Sequence, residues 1–332
     1  MRIKRIKTQT VPSILLVSCS VFAAVTIPAQ AQQSRRPAAA HKHVTKKPAT
    51  PPIDERALKT QVMLDRAGYS PGEISGHMNA STQKALAVFT KYGGNGAALP
   101  SDEIATYTLT DQDVAGPFTP DIPRSMMDQA TLDALDYRNV EEKLGEKFHC
   151  SPTLLKDLNP SAKFVADEEI KIPNVVNDVA PVGPPRGSQS DTSNPAVTTV
   201  KVSKSESDLI VTDGASHILM YAPVTSGSEH DPLPLGEWKV TGVQHNPKFH
   251  YNPQLFWDAK ATDRKTTIQP GPNNPVGVVW IDLSRPHYGL HGTPEPSLIG
   301  KTTSHGCVRL TNWDAEKLAG LVRPGTKVVF TE

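Results

Sequence analysis

Cysteine is scarce in this chain: three residues, Cys19, Cys150 and Cys307, among 332. Three cannot build a disulfide framework. Net charge is lacking too, with 35 Lys and Arg against 34 Asp and Glu, so no field suited to gripping nucleic acid follows from composition. The chain also lacks a membrane-length apolar run. Its longest runs from Val11 to Ile27, and the stretch bracketed by Pro12 and Pro28 is too short to span comfortably.

That short run has another meaning. Arg2, Lys4, Arg5 and Lys7 precede it, and Ala29-Gln30-Ala31 follows as a small-x-small site. Residues 1–31 read as a secretory signal, which implies export to the periplasm. Leu16-Val17-Ser18-Cys19 offers a lipid-anchored alternative at Cys19. The apolar Val21, Phe22, Ala23, Ala24 and Val25 continue past it and favour cleavage after Ala31.

Proline is plentiful (30 residues) and clustered, and the clusters mark linkers. Residues 32–52 form a Pro/Ala/Lys-rich tether, and residues 175–198, with Pro181, Pro184-Pro185 and Ser193-Asn194-Pro195, form a Pro/Ser-rich one. Between them, Leu58 and Val62 have helical spacing up to Gly68, a Pro/Gly turn follows, and Ser81 or Thr82 can cap a second helix. This pattern over 53–92 resembles a small helical peptidoglycan-binding module. Residues 93–134 read as an unpatterned connector. Over 135–174 the order reads strand–helix–helix–strand. Val140, Leu144 and Phe148 share a helix face, Ser151-Pro152 starts the next helix, Asn159-Pro160 stops it, and Ile170-Lys171-Ile172-Pro173 alternates. That order resembles a LysM module, a glycan-binding fold.

From Val200 onward strands dominate: Leu209 to Thr212 and Ile218 to Tyr221 flank Asp213-Gly214, and Val278 to Leu283 precedes Gly289-Leu290-His291-Gly292-Thr293. Ser304-His305-Gly306-Cys307-Val308-Arg309-Leu310 follows, then a helix from Trp313 and a last strand from Lys327. A thiol attacks as thiolate, and at an ordinary pKa of about 8.5 it is mostly protonated at neutral pH. A nearby imidazole can take its proton and return it to a leaving amine. No carboxylate partner for His291 is evident. His287, His291, His305 and Cys307 together suggest zinc as an alternative, but their gaps match no common zinc spacing.

A His, a gap of about a dozen residues and then Ser-His-Gly-Cys resembles the signature of the YkuD-like L,D-transpeptidases. The resemblance extends over 199–332, including the Pro-x-Gly turn before Glu237 and Asn274-Pro275-Val276-Gly277. It implies a multidomain protein: a mainly-β YkuD-like sandwich at the C-terminus, preceded by the helical and LysM-like α+β modules. By the same resemblance, Cys307 is the nucleophile and His291 the general base, oriented by the Gly292 carbonyl. His305 stabilises the pocket, and the Gly306 and Cys307 amides form an oxyanion hole. Arg309, Ser304 and Tyr288 are candidate substrate contacts, with Ser304 read first as a polar support within its loop; Tyr251, Trp257 and Tyr288 are candidate walls. The implied chemistry needs no metal or cofactor. Its partners are peptidoglycan stem peptides and glycan, with outer-membrane proteins as a second class of acyl acceptor and carbapenems as inhibitors. Water as acceptor would make the same site an L,D-carboxypeptidase, and an inert site would leave a wall-binding anchor. Cys150 reads as a small buried apolar residue, unpaired, since a bridge to Cys307 would cap the nucleophile.

Overall fold

The computed structural model describes residues 51–92, 102–175 and 198–332. The expected signal, nearly all of the first linker and nearly all of the second lie outside the described residues.

Helix α1 (Glu55–Arg66) starts where the Asp54 carboxylate accepts from the Arg56 and Ala57 amides, a cap worth about 1 kcal/mol. It buries Leu58, Val62 and Leu64. Helix α2 (Ala80–Tyr92) is capped one turn earlier than its sequence suggests. Asn79 Oδ1 accepts from the Thr82 amide at 2.8 Å, while Thr82 is buried and bound to Gln61. Strand β1 (Ile104–Thr108) follows, then two single turns, α3 (Asp111–Val114) and α4 (Met126–Gln129). Helix α5 (Val140–Lys147) presents Leu144 and then Phe148 to the core, and α6 (Pro152–Leu158) starts on Ser151, as the sequence predicts. Strand β2 (Glu169–Pro173) pairs antiparallel with β1.

The opening strand of this β–α–α–β unit is therefore Ile104–Thr108, inside the stretch read as an unpatterned connector. Residues near 135 hold no strand. Leu135 donates its amide to Pro270 O and accepts from the Asn273 amide, both at 3.0 Å. Backbone groups that would have made a ladder are spent on the C-terminal half.

That half carries β3 (Thr199–Ser203), β4 (Asp208–Thr212), β5 (Ile218–Pro223), β6 (Gly236–His245), β7 (Phe249–Tyr251), β8 (Thr266–Ile268), β9 (Val279–Leu283), β10 (Gly289–His291), β11 (Val308–Arg309), α7 (Asn312–Leu321) and β12 (Lys327–Thr331). The expected sandwich is one curled sheet of eight strands in the order β11-β10-β9-β6-β12-β3-β4-β5. Its curl comes from β6. The start of this strand pairs with β12 and its end with β9, with a register shift between Val240 and Gly242. Val200, Val211, Ile281, Leu290, Val308 and Leu318 lie in the core inside the curl. Strands β7 and β8 form a separate two-stranded flap.

Residues Pro51–Glu332 form one unit. The seam between its halves is polar but buried. Ser70 donates to Asp314 Oδ2 at 2.8 Å, Asn312 to Glu146 Oε2 at 2.7 Å and Arg138 to Asn273 Oδ1 at 2.7 Å. The His149 ring stacks on Trp313 with centroids 5.3 Å apart, and Tyr69 stacks on Tyr221. Exposed pairs such as Lys204–Glu332 contribute at most about 1 kcal/mol, so these buried contacts carry the seam.

Burial pushes the Asp314 carboxyl up to about 6 against the hydrogen bonds from Thr311 and Ser70 that pull it down. The folded state thus holds this proton more tightly than the unfolded chain. The contribution is intact below the ordinary carboxylate pKa near 4 and is lost as pH rises through 6. Relative to wild type, Asp314→Asn should gain roughly 3 kcal/mol in unfolding free energy between pH 4 and pH 7. Urea titrations at both pH values check this; a difference that does not move with pH would refute it.

Candidate active site

Two short strands assemble the site. β10 and β11 run parallel, with Leu290 opposite Val308 and His291 opposite Arg309. Side chains alternate across a sheet. Leu290 and Val308 are fully buried on the core side. His291 and Arg309 therefore share the other face, and Cys307, two residues before Arg309, falls on it as well. A gap of sixteen residues in sequence closes to neighbouring positions on one sheet face. Cys307 and Cys150 are both free, as expected.

His291 is 4% exposed. Its Nδ1 lies 2.7 Å from Gly292 O. A carbonyl only accepts, so Nδ1 carries the proton and Nε2 keeps a lone pair. The Trp280 ring stacks on the imidazole at 5.5 Å. Gly292 has to be glycine: a Cβ there would sit 2.2 Å from Asn312 Oδ1. Burial and the charge of Arg309 push His291 down to about 3, with the Gly292 bond opposing them.

Cys307 is half-buried, and its Sγ donates to His287 O at 3.7 Å. Burial pushes the thiol up to about 11, while a hydrogen bond from the Gly289 backbone and the Arg309 charge favour the thiolate. The resting pair is thiol and neutral imidazole.

The loop before Cys307 is closed by Ser304, the polar support within the loop that the sequence reading favours. Ser304 is 3% exposed; its hydroxyl donates to Cys307 O at 2.6 Å and accepts from the Gly306 amide at 3.2 Å. The Gly306 N–H is thereby engaged inside the turn rather than aimed outward with the Cys307 amide. Gly306 has φ +102°, and a Cβ would lie 2.6 Å from the Tyr288 ring. Tyr288 thus packs over the turn as part of the wall. Tyr251 is buried with its hydroxyl on Asp263, so it does not line a cleft; Trp257 is exposed and stacks on His230.

His305 faces elsewhere. Its Nε2 lies 2.8 Å from Asp258 Oδ1 and its ring meets Phe256 at 4.8 Å, both from the segment joining β7 to β8. Burial pushes the Arg309 guanidinium below its ordinary value, while the charges of Cys307, Glu295 and Asp258 favour its cationic form. Among the described residues no three His, Cys, Asp or Glu side chains are grouped to hold a metal ion. Sequence reasoning missed Asp258, Trp280 and Asn312. Only Asn312, just before a helix signal and after the Cys-containing motif, had any local cue.

Residues 198–330 match the model of the YkuD family, the L,D-transpeptidase catalytic domain. "Putative L,D-transpeptidase YkuD" of Bacillus licheniformis is 51% identical over 63 residues, 19% of this chain and 38% of that relative. "Putative L,D-transpeptidase YqjB" of Bacillus subtilis is 32% identical over 115 residues, 33% of this chain and 57% of that relative. A solved L,D-transpeptidase 3 from Mycobacterium tuberculosis, in complex with a faropenem-derived adduct, is 17% identical, covering 41% of this chain and 61% of that one, with a TM-score of 0.34. The chain spans between 38% and 57% of the length of these two curated relatives.

The resting thiol of Cys307 should alkylate slowly. With iodoacetamide, the Cys307 rate should rise roughly tenfold per pH unit from pH 7 and level off only near 11. Arg309→Met removes a charge that favours the thiolate and should slow alkylation at pH 9 by about 3- to 10-fold. Peptide mass spectrometry resolves Cys307 from Cys150; a plateau near pH 7 would contradict this electrostatic picture.

Proposed function

We propose that this protein is a peptidoglycan L,D-transpeptidase working through a cysteine thioester. The observation that supports it most directly is the shared sheet face of Cys307 and His291, with the proton held at Nδ1 and the lone pair left on Nε2. In this reading, Cys307 Sγ attacks the carbonyl at the L-centre of the third stem residue, a diaminopimelate, as its proton passes to His291 Nε2. The tetrahedral intermediate collapses, the C–N bond breaks, and His291 returns the proton to the departing D-alanine amine. The thioester keeps enough acyl energy to remake an amide without ATP. A second amine then attacks it and frees Cys307.

That amine comes from another stem, giving a 3→3 cross-link, or from a protein, tethering it to the wall; water would give a carboxypeptidase. The names of the curated relatives support the transpeptidase reading. A periplasmic location follows from the signal-like start, and wall contact is the role proposed for the modules preceding the YkuD domain. The strained carbonyl of a carbapenem should acylate the same sulfur.

Purified protein incubated with tetrapeptide muropeptides should release D-alanine and yield dimers by mass. Cys307→Ala should abolish both, and His291→Ala should slow carbapenem acylation by about 10²- to 10⁴-fold. Equal product from wild type and Cys307→Ala, or a carbapenem adduct that persists in Cys307→Ala, would refute the assignment.

A further inference from the structure

The wall behind His291 is not built by the strands that carry the site. Gly292, whose carbonyl accepts the imidazole proton, packs against the side chain of Asn312. A Cβ at Gly292 would lie 2.2 Å from Asn312 Oδ1, and one at Gly277 2.0 Å from the same atom. That oxygen also accepts from the Val278 amide at 3.3 Å. Asn312 Nδ2 donates to Glu146 Oε2 at 2.7 Å and to Pro272 O at 3.1 Å, so both of its hydrogens are taken. Glu146 lies on α5, and its other oxygen accepts from the Tyr137 hydroxyl at 2.8 Å. The loop that carries Pro272 and Gly277 is held by the same segment. Asn273 donates to Asp136 O at 2.9 Å and accepts from Arg138 at 2.7 Å, and a Cβ at Gly271 would lie 2.1 Å from Leu135 O.

The structure assigns Glu146 as a positioning residue for His291, acting through Asn312 on the Gly292 carbonyl. This rests on the thioester reading above and gives the helical segment before residue 198 a task in the chemistry, besides the wall contact proposed for it. An ionised carboxylate only accepts, so Glu146 meets Asn312 through the amide nitrogen and leaves the amide oxygen to face Val278, Gly277 and Gly292. Turned over, the amide would set its nitrogen against the Val278 N–H and leave Glu146 and Pro272 without a donor. The glycines at 277 and 292 make room that only a fixed Asn312 fills. Once that side chain loosens, the Gly292 carbonyl is free to shift away from Nδ1. No other contact on the ring replaces it, because Trp280 stacks on the imidazole and offers no acceptor. An imidazole that carries its proton on Nε2 instead cannot take one from the thiol there.

Variants of the full chain test this. Glu146→Met keeps the volume and removes the acceptor. Glu146→Gln keeps a carbonyl for Asn312, and its amide can donate to the Tyr137 hydroxyl. In ¹⁵N imidazole spectra at pH 8, His291 of wild type and of Glu146→Gln should show Nδ1–H alone, and that of Glu146→Met should show mixed tautomers. Glu146→Met should slow carbapenem acylation of Cys307 by about 10-fold, and Glu146→Gln by less than about 3-fold. Iodoacetamide alkylation at pH 10 draws on thiolate formed by the solvent, so Glu146→Met should stay within about 2-fold of wild type there. Ser70→Ala cuts another bond of the seam, to Asp314, and should move neither the spectrum nor the acylation rate. An unchanged His291 tautomer in Glu146→Met, equal losses in Glu146→Met and Glu146→Gln, equal falls in acylation and alkylation, or an equal loss in Ser70→Ala would overturn the proposal. A wild-type Cys307 that never acylates would strike the thioester reading instead, since the spectra report on the His291 pocket by themselves.

Discussion

The hydrogen bond from His291 Nδ1 to Gly292 O decides what the rest of the site can do. It spans one residue, so the imidazole is oriented by its own backbone and needs no carboxylate. It holds only because Gly292 lets the chain pass against Asn312, whose side-chain oxygen lies where a Cβ would be. Asn312 in turn is bound to Pro272 O and to Glu146 of α5. The position of His291 is thus supported by a chain of contacts reaching into the helical segments before residue 198. Buried polar networks of this kind are costly when half-satisfied and rigid when complete.

Arg309 works on both members of the proton-transfer pair, in opposite senses. Its charge favours the Cys307 thiolate and disfavours the His291 imidazolium. Burial disfavours both ions. A thiolate–imidazolium pair is therefore not the resting form, in contrast to cysteine sites where a nearby cation or helix end holds the thiolate ready. The Gly306 amide is taken up by the Ser304 hydroxyl inside the turn.

Local patterns proved readable wherever the physics is local. Ser151-Pro152 starts α6 because a side-chain oxygen and a fixed φ act within one turn. The helical spacing of Val140, Leu144 and Phe148 likewise put α5 in place. Asp258 was not readable: it sits in an irregular segment, forty-seven positions from His305, and nothing periodic marks it. Strand β1 escaped because three half-buried residues and two exposed threonines signal weakly, and its partner lies more than sixty residues downstream. The curl of the sheet escaped because the sequence of β6 does not state that its two ends serve different neighbours.

Residue type and short spacing were enough to single out a thiol, an imidazole and the glycines that let the backbone crowd around them, because turn geometry and side-chain chemistry belong to the residues and their immediate neighbours. Register and packing were not written there. That Cys307 and His291 share a face depends on how β11 aligns against β10, and that His305 turns to Asp258 depends on where the flap lands. Pairings between distant segments are chosen by the burial of the whole core, which no short stretch of chain encodes.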